Sequence, residues 1–159
     1  MNPEELIELP DSIEPILAVR AWNIYKDSDS YFLSSCFQYN IIWPKQSKLS
    51  ALCLSEDPWL NSGIKHDAPI TDCDCGIYAL KKAPDEHELI PWEDNSIIGL
   101  AFIWGKVIEG TKGYRAQFSK PAALLDDNKK ETKLLARSYK IPLVNNLNFS
   151  EIDSPFNEQ

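Results

Sequence analysis

Cys53, His66, Cys73 and Cys75 are the residues of this chain whose types and spacing best fit a defined chemistry. Three thiols and one imidazole make four N/S donors, the number that a closed tetrahedral zinc site takes. Their spacing frames a loop. Cys53 closes a short apolar run. Residues 54–72 then hold Pro, Gly, Asn, Ser and Asp without helical or strand periodicity, with His66 among them. Cys73-Asp74-Cys75-Gly76 ends the stretch. A loop of that length inside a compact domain is functional, disordered or stapled, and a clip at its base offsets the entropy of closing it. Cys-x-Cys is tighter than the usual zinc pair, yet residues i and i+2 of an extended chain share a face. Zinc is the cofactor expected here. The same residues also fit a plainer packing, with free thiols as small hydrophobes and His66 on the surface.

A second group is Trp104, Glu109, Tyr114 and Arg115, all on one expected hairpin. An arginine fork and a carboxylate above aromatic rings can hold a polar ligand. The alternative for these residues is a cross-strand ion pair beside core aromatics. No residue is assigned a catalytic role. Ser34-Ser35-Cys36 and His66-Asp67 supply the types of a nucleophilic triad, but no nucleophile-elbow motif surrounds them. The sequence carries no P-loop, no dinucleotide fingerprint and no His-Glu-x-x-His.

Several extended elements must position these groups. Residues 16–25 are β-branched and aromatic and predict a strand that turns at 26–30 and returns over 31–35. Residues 40–44 and 49–54 are shorter extended pieces. Residues 76–82 fit a strand or a first helical turn. Residues 97–109 and 114–119, joined by Gly110-Thr111-Lys112-Gly113, predict the central hairpin. Gly99 and Gly105 inside its first strand predict a bulge or a sharp bend. Trp104 is expected to be buried there. Residues 126–140 predict an amphipathic helix with Leu135 and Tyr139 on its inner face and Asp126 and Asp127 as caps. Residues 141–144 predict a last edge strand. Residues 84–96 predict a surface helix or loop. The fold class expected is α+β, predominantly antiparallel, a small bent sheet or partly open barrel with one C-terminal helix. Residues 1–15 read as an N-terminal arm, 16–145 as a single globular domain and 146–159 as a C-terminal tail.

Three phrases occur together in this order: Ala51-x-Cys53; His66-x-x-Pro69 leading to Cys73-x-Cys75-Gly76-Ile77-Tyr78-Ala79; and Trp104-Gly105-x-Val107-x-Glu109 leading to Gly113-Tyr114-Arg115-Ala116. With Trp22 and Trp43 upstream, the chain resembles a small family of uncharacterised bacterial proteins over roughly residues 20–145. The resemblance adds weight to these positions and implies no activity. The chain departs from the pattern at Gly110, Gln117 and Lys120.

Composition sets the remaining bounds. The chain has 159 residues, 43% hydrophobic and 11% aromatic, enough to bury one core. A net charge of −8 disfavours generic nucleic-acid binding, which needs clustered Lys and Arg. No apolar run reaches the ~18–20 residues that span a bilayer, and the acidic N-terminus lacks the form of a signal peptide. A cytoplasmic location, with reduced thiols, is expected. The leading expectation is a non-enzymatic binding module for a small molecule or a protein. One alternative is a hydrolase or transferase using His66 or a cysteine. Another is an acidic interaction protein that occupies a partner's basic surface.

Overall fold

The computed structural model describes residues 5–10, 14–36, 41–53, 66–83 and 96–147. The segment 84–95 and the tail from 148 onward lie outside the described residues, as do residues 54–65 of the long loop. Within the described residues the chain is α+β and mainly antiparallel, as the sequence predicts. Eight strands and one helix follow in order: β1 (Ile7–Glu8), β2 (Ile16–Asp27), β3 (Ser30–Ser34), β4 (Leu49–Ser50), β5 (Ile77–Leu80), β6 (Ser96–Glu109), β7 (Gly113–Leu125), α1 (Lys130–Tyr139) and β8 (Leu143–Val144).

The central hairpin is β6 and β7, paired from Gly99 with Leu124 down to Glu109 with Tyr114. It is longer than the alternation of residues 114–119 suggests, because β7 continues through Pro121 to Leu125. A proline inside a central strand needs an irregularity, and the register shifts there, with Leu100 opposite Ala123 but Ala101 opposite Pro121. A second shift lies between Trp104 and Val107. Gly105 sits in it with φ +77°, and a Cβ there would come within 2.6 Å of Phe118. The bulge expected from that glycine is present.

These irregularities bend the sheet. β2 pairs with β6, β5 pairs with both β2 and β7, and β6 pairs with β7, so four strands form a ring. It is only partly closed, since β5 meets β2 at the single pair Val19–Leu80. Residues 76–82 thus resolve as the short strand that links the two sides. Ile7 and Glu8, from the expected arm, pair with Glu109 and Ile108. Leu9 donates its N–H to Val107 O at 2.8 Å and packs on the Ala18–Ile103–Val107 cluster.

The largest core cluster lies between the sheet and α1. Trp22 and Trp43 meet edge to face there, with ring centroids 5.4 Å apart. α1 buries Thr132, Leu135, Ala136 and Tyr139, a spacing of three, four and seven that forms one stripe. Tyr139 donates its hydroxyl to Trp43 O at 2.6 Å and accepts the Leu33 N–H at 2.9 Å. The helix starts later than expected. Asp126 and Asp127 are not its caps: their carboxylates accept the N–H groups of Asn128 and Lys129, folding two turns ahead of Lys130. Asx turns of this kind compete with capping for the same side chains. At the other end Lys140 takes the left-handed conformation and returns its N–H to Ala136 and Arg137 carbonyls. β8 forms as the expected edge strand, and it runs parallel to β7.

Candidate metal centre

The strand register explains why the four donors meet. β4 and β5 lie end to end along the same side of β7. β4 pairs Ser50 with Phe118, and Ala51 still donates its N–H to Gln117 O at 2.7 Å. β5 begins at Ile77, opposite Ala116. The chain therefore leaves β7 at one residue and returns at the next, after an excursion from Leu52 to Gly76. Cys53 stands just beyond the exit, and Cys73 and Cys75 stand just before the re-entry.

The donor atoms of Cys53, His66, Cys73 and Cys75 all lie within 4.8 Å of one another. Cys53 Sγ is 3.7 Å from Cys73 Sγ, and His66 Nε2 is 3.3 Å from Cys75 Sγ. A tetrahedral ion with bonds of ~2.3 Å to sulfur and ~2.0–2.1 Å to nitrogen has edges of ~3.8 Å and ~3.5 Å. The two contacts match those edges to within a few tenths of an ångström. None of the three thiols is in a disulfide. Ala68, Cys73 and Cys75 form a small buried cluster with Ala51, Cys53 and Ile70 against it. Burial pushes the Cys75 thiol up to about 11, and the neighbouring Cys73 and Cys53 sulfurs reinforce this against a backbone hydrogen bond at Ile70. Three crowded thiols resist ionising together unless a cation joins them.

Two further residues shape the loop. Gly76 has φ +124°, and a Cβ on it would lie 2.9 Å from Pro69 Cβ and 3.0 Å from Arg115 Cβ. The loop closes against β7 only with glycine there. Arg115, 8% exposed, turns its guanidinium into the loop. Its Nη1 donates to the carbonyls of Ile70 at 3.1 Å and Cys75 at 3.0 Å, and also to Cys73 O. One buried cation thus gathers three carbonyls of the cysteine loop.

The second sequence-predicted group is placed differently. Arg115 serves the cysteine loop. Glu109 faces Tyr114 across the hairpin and takes an ion pair from Lys81 at 3.1 Å. Tyr114 and Arg115, consecutive in β7, project to opposite faces. Trp104 is half-buried against Phe118, with ring centroids 6.0 Å apart, and is less enclosed than expected. The sequence reading missed Arg20. Its guanidinium lies 4.9 Å over the Trp43 ring and donates to Tyr78 O and Ser35 Oγ. Burial lowers it to about 10, with the Cys36 thiol acting in the opposite direction. A charged residue flanked by Val19 and Ala21 in an apolar strand was the available signal.

Comparison with known proteins gives no match to a family model, to a curated protein or to a solved structure. Among the described residues, no helix is long and apolar enough to cross a membrane.

Proposed function

We propose that the protein is a small binding module whose long loop is clipped at its base by one zinc ion held by Cys53, His66, Cys73 and Cys75. The convergence of four donor atoms within 4.8 Å is the observation that carries this reading. Thiolate-rich N/S sets select zinc over hard cations, and four protein ligands leave no open position for substrate, as in structural sites. The clip would fix the β4–β5 excursion against the sheet, where Leu52, Tyr78 and Leu80 stay exposed. Tyr78 is held toward the clip by donating its hydroxyl to Asp74 O at 2.5 Å. These apolar side chains suit a small molecule or a protein partner better than a nucleic-acid backbone. The test is metal analysis of protein purified without chelator. One zinc per chain, lost together in Cys53→Ser, Cys73→Ser and Cys75→Ser, supports the reading. Metal-free protein that stays folded defeats it.

The 3.3 Å contact between His66 and Cys75 favours one second reading, a thiol–imidazole nucleophile of a hydrolase or transferase. The Cys75→Ser variant separates the two readings. A nucleophile's loss leaves the fold intact and removes turnover, whereas a ligand's loss releases metal and loosens the loop.

A further inference from the structure

Resting on the zinc reading above, we propose that the clip is redox-exchangeable: peroxide converts Cys53 and Cys73 to a disulfide that expels zinc and keeps the loop closed. Cys53 and Cys73 bring their sulfurs to 3.7 Å, and His66 Nε2 lies 3.3 Å from Cys75 Sγ, with the Cys73 and Cys75 thiols also in contact. Cys73 and Cys75 are separated by one residue, a spacing too short for an unstrained bridge. Cys53 and Cys73 are the ends of the excursion, so a bond between them closes the same loop that the metal closes.

Access is unequal. Cys53 is half-buried, next to the 67% exposed Leu52, whereas Cys73 is 4% exposed and Cys75 6%. Peroxide therefore meets Cys53 first. The Cys53 thiolate attacks one peroxide oxygen, the O–O bond breaks, and a sulfenic acid forms as hydroxide leaves. The Cys73 thiolate then attacks the sulfenic sulfur and expels a second hydroxide. Two thiolates lose two electrons, which the O–O bond takes up. Both zinc–sulfur bonds to Cys53 and Cys73 are lost. His66 and Cys75 remain, too few to hold the ion. Cys36 stands outside this exchange, its thiol donating to Asn23 Oδ1 at 3.6 Å.

The experiment treats the zinc-loaded full chain with hydrogen peroxide. Zinc release is followed with a chromogenic chelator, and linkages are mapped by non-reducing peptide mass spectrometry. The expected result is one zinc released per Cys53–Cys73 disulfide, reversed by a dithiol reductant with added zinc. Cys75→Ser is expected to form the same disulfide, and Cys73→Ser to form none. Zinc retained under peroxide, a Cys53–Cys75 bridge, or release accompanied only by sulfinic acid overturns the proposal. Absence of zinc before oxidant is added defeats the zinc reading itself, so the two failures are read at different steps.

Discussion

At the residue scale, the site depends on two groups that are not ligands. Gly76 combines a positive φ with contacts that a Cβ would make with Pro69 and Arg115. Gly76→Ala is expected to destabilise the protein by roughly 1–3 kcal/mol through backbone strain, read from its urea unfolding midpoint. Arg115 presents a different balance. Replacing it by Met leaves the carbonyls of Ile70, Cys73 and Cys75 without their shared donor. A loss of about 2–4 kcal/mol is expected, since hydrogen bonds to charged groups exceed neutral ones, together with weaker zinc retention in a chelator competition. Unchanged retention would separate Arg115 from the clip. The sequence pointed to Arg115 and gave its neighbours, but not its direction. Which face of β7 the guanidinium takes depends on the register with β5, and that register is a long-range property.

At the element scale, local pattern and tertiary context contributed in different proportions. The β2–β3 and β6–β7 hairpins were legible because β-branched alternation and Gly-containing turns act over a few residues. The early start predicted for α1 failed because Asp126 and Asp127 close local turns of their own. The parallel pairing of β8 was not legible, since strand direction follows from where the preceding helix returns the chain. Tyr139 ties these elements together, bonding the Trp43 carbonyl and the Leu33 N–H from inside the helix. Tyr139→Phe is expected to cost about 1–3 kcal/mol, the penalty for leaving buried groups unpaired. Burial raises the Tyr139 hydroxyl above its ordinary value of 10, against the lowering effect of the Leu33 hydrogen bond. The unfolded chain then loses this proton first. The stability from Tyr139 is present below pH 10 and falls as pH rises past it. Denaturation midpoints measured from pH 8 to 11 check this, and Tyr139→Phe should show a shallower decline than the parent.

At the scale of the whole molecule, the ring and the cysteine–histidine cluster are one arrangement. The ring closes through β5, a four-residue strand that meets β2 at a single pair. β5 directly follows Gly76 and the Cys73–Cys75 pair, so a metal held by the four donors would anchor the strand that closes the ring. The phrases that stood out in the sequence converge there: Ala51-x-Cys53 at the exit from β7, His66-x-x-Pro69 and Cys73-x-Cys75-Gly76 at the re-entry, and Arg115 beneath. Spacing suggested a common role for the four donors, whereas it set Arg115 apart in the hairpin group. Their meeting point required the end-to-end placement of β4 and β5, which no local pattern contains.

The most direct test of zinc as the clip is to measure metal content and thermal stability on the same sample, before and after chelation. One zinc per chain is expected. Its removal should lower the unfolding midpoint by several degrees or more, and added zinc should restore it, because binding energy at such a site is folding energy. A chain that carries no metal, and whose midpoint is unmoved by chelator or by zinc, would contradict the account.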